Sequence, residues 1–329
     1  MRVGNKSYRA VWMSGRDVVV INQPLLPHRF ALLRLKNHRQ TAEAIRNMTI
    51  RGAGTIGATA GYGMAQAFLE GADLNKAYRL LLETRPTAVD LKHAIDRVRA
   101  CPDATAAVAE AERITLEYVA RGEQIAKVGL PLIKSGSRVL THCNAGWLAL
   151  VEWGSAPAPV YLAHRKGRKV FVWVDETRPR CQGASLTSWE LMQEGVPHKI
   201  IADNAAGFYM RRGEVDLCIV GADRIAINGD TANKVGTYTK AVLAKENGIP
   251  FYVAAPTSTI DPHCPNGDAI PIEERDEDEV HYIGPHRISP RGARAANPAF
   301  DVTPARYITG IITERGILKP TELRRLWKR

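Results

Sequence analysis

No stretch of the sequence approaches the roughly 18–20 consecutive apolar residues that a bilayer-spanning helix needs. Its opening residues, with charges at Arg2, Lys6 and Arg9, lack the apolar segment of an export signal. Neither membrane insertion nor secretion is expected, and the expected localisation is cytoplasmic. Cysteine is sparse: Cys101, Cys143, Cys181, Cys218 and Cys264 are an odd number without a C-x-x-C pair. That speaks against a disulfide framework and a zinc ribbon and fits a reducing compartment. Aromatic residues make up only 7%, and the basic residues are scattered along the chain, with only short clusters such as Arg211-Arg212 and the final Arg324-Arg325 to Arg329 stretch and no nucleic-acid-binding module beside them. The net charge of +11 therefore points to a small anionic substrate rather than to a nucleic-acid partner. Internal repeats and low-complexity tracts are also missing.

What the chain does have is an ordinary globular composition, 45% hydrophobic and 24% charged over 329 residues. That length exceeds the usual single core and predicts two domains. From Ser137 onward, short β-rich apolar runs alternate with helical stretches, the pattern of a parallel sheet covered on both faces. The predicted strands are Arg138–Cys143, Val170–Glu176, Lys199–Asp203, Leu217–Asp223 and Phe251–Pro256, and the predicted helices are Thr187–Glu194, Ala205–Arg212 and Ala232–Asn247. The first half reads differently. Residues 8–21 alternate like a small hairpin, whereas 40–48, 55–70, 74–82, 88–99 and 104–128 carry helical spacing. The expectation is an α/β protein: a mostly helical N-terminal domain with a short hairpin, residues 1–130, followed by a Rossmann-like, doubly wound, mainly parallel sheet domain, residues 131–329. The junction is expected near Gly129–Gly136, where proline and glycines interrupt the long helix.

In such sheets ligands bind beyond the carboxyl ends of the strands. Here those ends are polar: Thr141-His142-Cys143-Asn144-Ala145-Gly146, Asp175-Glu176-Thr177-Arg178 and Gly221-Ala222-Asp223-Arg224. A thiol at a strand end, followed by small residues opening a helix, would be activated by the backbone N–H groups there, which marks Cys143 for proton abstraction or attack. The alternative for any cysteine is a small buried apolar residue, the reading adopted for Cys218 inside Leu217–Val220. Asp223 follows an apolar run, and desolvation at the sheet mouth would suit it to act as an acid; a salt bridge to Arg224 or a helix cap are its structural alternatives. His142 and His263 lack any recurring ligand spacing, so no metal is expected.

Arg51-Gly52-Ala53-Gly54-Thr55-Ile56-Gly57 contains G-x-G-x-x-G literally. A dinucleotide fingerprint should follow a strand and precede an acid by about 20 residues, and neither condition holds, so no nucleotide cofactor is expected. A glycine-rich turn opening a helix beside Arg51 remains a suitable phosphate cradle. Arg85, in Thr84-Arg85-Pro86-Thr87, and Lys234, in Asn233-Lys234-Val235-Gly236, are further cationic candidates.

Taken together, Arg51–Gly63, Thr84–Leu91, Thr141–Gly146, Asp175–Leu191, Val220–Lys245, Ile249–Asp261, Ile270–Val280 and Asn297–Gly316 resemble, in order, the methylthioribose-1-phosphate isomerases. These are relatives of the regulatory subunits of initiation factor 2B. The resemblance implies a cofactor-free homodimer, with the active site between a helical and a Rossmann-like domain, acting as an aldose–ketose isomerase on a sugar phosphate. It assigns catalysis to Cys143 and Asp223 and places Arg51, Gly52, Ala53, Arg85, Gln182, Asn233 and Lys234 around the substrate. Gln182, Asn233 and the pairing of Cys143 with Asp223 come from the resemblance alone. Gly54 stands where the family usually has proline, and Trp147–Pro159 is atypical. These departures leave the group on C5 open among methylthio, plain deoxy and the phosphate of the related ribose-1,5-bisphosphate isomerases. A non-catalytic regulatory role like that of the initiation-factor relatives is the remaining alternative, and the presence of both Cys143 and Asp223 favours the enzyme.

Overall fold

Ala53–Leu69 contains no charged residue, and a helix apolar all round must lie inside. It does: its residues from Gly54 to Ala67 are all buried, and the rest of the first half is built around it. In this computed structural model, which describes residues 1–85 and 88–327, the chain divides into two units. One comprises Met1–Gln124 with Ala145–Ala158, the other Ile125–Asn144 with Pro159–Arg329. The chain passes between them at 124/125, 144/145 and 158/159.

After a two-stranded ribbon, Arg2–Val3 with Lys6–Ser7, the first unit has an antiparallel three-stranded sheet, β1 (Val11–Ser14), β2 (Asp17–Ile21) and β3 (Leu32–Leu35), one strand more than the expected hairpin. Helices α1 (His38–Arg46), α2 (Ala53–Leu69), α3 (Leu74–Leu82), α4 (Val89–Arg99) and α5 (Ala104–Gly129) follow. Local chemistry sets their starts: the Asn37 side chain accepts from Gln40 N–H at α1, and Asp73 accepts from Asn75 and Lys76 at α3. Small residues on α2 let its neighbours close in. A Cβ at Gly63 would lie 2.8 Å from Thr41 Cγ2 and 3.0 Å from Leu81 Cδ2. Gln66, a buried amide in that core, is satisfied, since Nε2 donates to Leu35 O at 2.8 Å and Oε1 accepts from Thr41 Oγ1 at 2.6 Å.

Residues 145–158 are pinned to the head of α2. Thr55 N–H donates to Ala149 O at 3.0 Å, Thr55 Oγ1 donates to Leu148 O at 2.9 Å and accepts from Val151 N–H at 3.0 Å. Gly52 has φ +88, and a Cβ there would sit 2.4 Å from Ala149 Cα. The Gly54 departure has a local partner too: Leu150 Cδ1 occupies the space a side chain would need, 2.3 Å from the position of its Cβ. Trp147 is fully buried in this unit.

In the second unit β4 (Arg138–Thr141), α6 (Ala158–Arg165), β5 (Phe171–Asp175), α7 (Ser188–Glu194), β6 (His198–Ile201), α8 (Ala206–Arg211), β7 (Leu217–Val220), β8 (Arg224–Ala226), β9 (Thr231–Lys234), α9 (Thr237–Glu246), β10 (Phe251–Ala254), β11 (Ile260–Asp261), β12 (Phe300–Thr303), β13 (Gly310–Thr313) and β14 (Gly316–Leu318) succeed one another. The seven-stranded sheet has the order β14-β13-β10-β7-β4-β5-β6, parallel except for the β13/β14 hairpin. Counted along the chain, its six parallel strands run 3-2-1-4-5-6, the doubly wound order, with the reversal between β4 and β7. The mixed α/β architecture expected from the sequence is therefore present.

A second sheet, β11-β8-β9-β12, was not foreseen, and it corrects the predicted helix Ala232–Asn247. Residues 231–234 pair with β8 on one side and with β12 on the other, Asn233 opposite Asp301 and Lys234 opposite Phe300. Gly236, at φ +102, then turns the chain into α9. The helix is confined to Thr237–Glu246, because the residues before Gly236 pair with strands on both sides instead. No helix among the described residues is long and apolar enough to cross a membrane.

Gly52→Ala should cost about 1–3 kcal/mol of stability from backbone strain alone, and more from the clash with Ala149. Urea denaturation of the two proteins measures the difference; an unchanged midpoint would show that the turn accommodates a side chain.

Candidate active site

Thr141, the last residue of β4, is followed by His142, Cys143 and Asn144, and the backbone of Cys143 adopts φ +64. A non-glycine residue in this region costs on the order of 1–3 kcal/mol and persists only where its surroundings enforce it. Here every polar group of the residue is engaged. Cys143 N–H donates to Thr177 Oγ1 at 2.8 Å, its carbonyl accepts from Thr187 Oγ1 at 2.7 Å, and Sγ–H donates to Gln182 Oε1 at 3.2 Å. Thr177, past the end of β5, is itself left-handed at φ +65, a rare state for a β-branched side chain. Its N–H and that of Arg178 donate to the two oxygens of Asp203, each at 2.7 Å.

Gln182 reaches the sulfur because Gly183 packs directly on β5. A Cβ at Gly183 would stand 1.8 Å from Asp175 O, so only glycine allows the turn that leads into α7. On the other side of the cysteine, Asn144 Nδ2 donates to Thr187 Oγ1 at 3.1 Å and to Glu190 Oε1 at 2.9 Å, while Tyr161 OH donates to Glu190 Oε2 at 2.7 Å. This fully buried carboxylate and the burial of the ring push the Tyr161 hydroxyl well above its usual acidity range. The helix expected to open after Cys143 is absent: residues 144–157 are turns and bends, and α6 starts only at Ala158. Gly154, at φ +77 and pressed against Gly146, keeps this segment from coiling. Thr177, accepting from the Cys143 amide, and Thr187, donating to its carbonyl, hold the residue in place of a helix start.

Asp223 lies beyond β7, the parallel neighbour of β4, so both chemical groups stand at the reversal of the sheet. Its N–H donates to Ala232 O at 2.9 Å, which ties it to β9 next to Asn233. The side chain is exposed rather than desolvated by the apolar run before it, because the chain has already turned toward β8. Arg224 approaches Asp261 at 3.8 Å. Cys218 is fully buried and its thiol is pushed far up by burial, as its place within the strand implied.

Asn233 and Lys234 arrive at the same rim on β9. Asn233 Nδ2 donates to Thr237 Oγ1 at 2.9 Å; Lys234 Nζ donates to Ala299 O at 2.6 Å and lies 4.9 Å from the Phe300 ring centre. The next residue closes the circle, since Val235 O faces His142 Nε2 at 2.9 Å. No local pattern around His142 marks it for this role. Its Nδ1 is 2.8 Å from Asp175 Oδ2, which also holds Lys240 Nζ at 3.2 Å. His142, Asp175 and Asp203 lie close enough together to hold a cation, and the Lys240 ammonium fills that need within the protein.

In the other unit Arg51 is nearly buried, and Gly52 and Ala53 open α2. Thr55 and Ile56 N–H are spent on Ala149 O and Gly52 O; among the described residues the amides of Ala53 and Gly54 have no acceptor. Arg85 follows α3, while Pro86 and Thr87 of its motif lie outside the described residues.

A sequence model of the initiation factor 2 subunit family matches residues 43–320. The chain is 48% identical to the methylthioribose-1-phosphate isomerase of Brucella anthropi, over 98% of this chain and 97% of that one. The crystal structure of 5-methylthioribose 1-phosphate isomerase from Pyrococcus horikoshii superposes with a TM-score of 0.90 at 45% identity, covering 98% of this chain and 95% of that one. The delta subunit of initiation factor eIF-2B from A. fulgidus does so with a TM-score of 0.85 at 37% identity, covering 96% and 97%.

Thr187→Val keeps the shape but removes the donor to Cys143 O and the acceptor for Asn144, so it should cost about 1–3 kcal/mol in thermal or urea unfolding. Alkylation of Cys143 by iodoacetamide, followed by mass spectrometry, should also change rate; identical stability and identical alkylation would remove Thr187 from the clamp.

Proposed function

The chain belongs to the initiation factor 2 subunit family, and from that premise we propose that it is an aldose–ketose isomerase converting S-methyl-5-thioribose 1-phosphate into the corresponding ribulose 1-phosphate. The name shared by relatives that align over nearly the whole chain supports the reaction class. The observation that carries the assignment of residues is the clamped, left-handed Cys143 at the sheet reversal, with Asp223 ending the adjacent strand.

A phosphate on C1 prevents a furanose from opening spontaneously, so the enzyme must open the ring before hydrogen can move between C2 and C1. Asp223, in its protonated form, donates to the ring oxygen, and the bound sugar supplies the desolvation that its exposed carboxyl lacks. As the bond between C1 and the ring oxygen breaks, Cys143, as thiolate, removes the proton on C2 to give an enol; a proton then passes from the sulfur to C1 while the 2-hydroxyl gives its proton to Asp223, so the C2 ketone forms and both groups end as they began. Gln182 suits both states of the sulfur: its oxygen accepts from the thiol, and half a turn of the amide presents Nε2–H to the thiolate. Arg51, Arg85 and Lys234, with the amides of Gly52 and Ala53, bind phosphate, and Asn233 orients the sugar. No step calls for a cofactor. We include in this reading the homodimer implied by the resemblance; light scattering should then return about twice the chain mass of 36.2 kDa.

Cys143→Ser and Asp223→Asn should each keep substrate affinity and lose about 10²–10⁴-fold in turnover, the usual range for a general acid or base. If either variant turns over normally, the assignment fails. In deuterium oxide the proton held on the Cys143 sulfur exchanges with solvent before it is delivered, so the product should carry label at C1. Arg51→Ala and Lys234→Ala should raise KM as well as lower kcat, because the phosphate is held in ground and transition states alike. Comparing kcat/KM for the methylthio, 5-deoxy and 5-phosphate sugars tests the C5 group; a preference for the bisphosphate would overturn the substrate named here.

A further inference from the structure

His142 sits directly before the cysteine, has no exposed side-chain surface and takes no part in the proton transfers described above. Its two ring nitrogens face a carboxylate oxygen of Asp175 at 2.8 Å and the carbonyl of Val235 at 2.9 Å. Both partners only accept. A neutral imidazole has one N–H and would leave one contact unmade, whereas an imidazolium satisfies both. Further charges face the ring. Lys240 Nζ shares Asp175 at 3.2 Å, and Asp203 Oδ1 lies 4.0 Å from Nδ1. Asp301 stands nearby, its carboxyl pushed up by burial while the Gly236 and Tyr238 amides and the charges of His142 and Lys240 pull it down. The backbone closes over the ring, for a Cβ at Gly236 would be 3.0 Å from Cε1 and 3.1 Å from Nε2.

Three pieces of chain meet at this imidazole: the β4 end with Cys143, the β5 end with Asp175, and the β9 exit with Asn233 and Lys234. From this we infer that His142 is a positioning residue, an imidazolium that sets the spacing between the Lys234 strand end and the Cys143 thiol by donating to Asp175 and Val235 at once. Lys234 is anchored independently through Ala299, so its charge persists if the link to Val235 is cut, but its place relative to the sulfur does not. A misplacement of about 1 Å can slow a reaction about 10²-fold with little change in ground-state binding. The kinetic part of this inference rests on the isomerase reading; the protonation part does not.

Two observations test it. Nitrogen-15 NMR of the full chain, with His142 assigned by comparison with His142→Gln, should show hydrogen on both ring nitrogens at neutral pH. A single-hydrogen tautomer overturns the inference whatever the enzyme's reaction. Among variants, His142→Gln mimics Nε2 and keeps the bond to Val235, whereas His142→Asn mimics Nδ1 and keeps only the bond to Asp175. With methylthioribose 1-phosphate, His142→Asn should lose about 10–100-fold in kcat with KM changed less than about threefold, and His142→Gln should stay within about tenfold of the parent in kcat. Equal losses, or none, or a larger loss in His142→Gln, would overturn the positioning role. If the variants fail to fold, the NMR result on the parent protein decides. If Cys143→Ser retains turnover, the isomerase assignment falls while the doubly protonated ring stands or falls on its own spectrum.

Discussion

One buried carboxylate holds the chemistry-bearing rim together. Asp175 has no solvent exposure, ends β5, and is shared between the His142 ring and the Lys240 ammonium. Taking such charges from water costs several kcal/mol per ion, and removing one partner of a buried pair typically costs about 3–5 kcal/mol. Exposed pairs such as Arg46–Glu43 contribute about 0–1 kcal/mol by comparison. The carboxylate's second oxygen has no hydrogen-bond partner among the described residues, so its charge is offset by two cations rather than by donors on both atoms. Strand ends that would otherwise splay apart are thereby tied to a common centre.

The surrounding polar groups extend this arrangement outward without spending any of it on the exterior. Asp203 occupies the amides of Thr177 and Arg178, Thr177 occupies the amide of Cys143, and Glu190 occupies Asn144 and Tyr161. Each of these groups is met by a neighbour from another strand end, loop or helix, as low-dielectric surroundings favour. The thiol alone in this chain of contacts bonds to a long, uncharged side chain, Gln182, that can turn. Rigidity below and adaptability at the sulfur follow from the same set of bonds.

How much of this was legible in the sequence depended on range. The strands at 138–141, 171–175, 217–220 and 251–254 were readable because short β-rich apolar runs between polar breaks suffice to mark a buried parallel strand. Residues 231–234 were not, because beyond a short local pairing with β8 they pair along their whole length with β12, 66–72 positions later, and no local pattern encodes such a pairing. Cys143 and Asp223 could be singled out from their positions at strand ends. By spacing alone His142 is only a poor metal ligand, and Thr177 and Thr187 look like ordinary loop and helix residues. Lys240 carried an unread sign: it shares one face of α9 with Thr237, Ala241 and Ala244, all buried, and a lysine on a buried face calls for a buried acid.

The left-handed backbones of Cys143 and Thr177 bear on how this protein balances durability against activity. Glycine adopts such conformations without steric penalty, so selection for persistence alone would favour it at both positions. Side chains stand there instead, joined by a hydrogen bond between the amide of one and the hydroxyl of the other. The fold therefore rests below the stability its own backbone path would permit, and the shortfall is localised at the one turn where a sulfur atom is wanted.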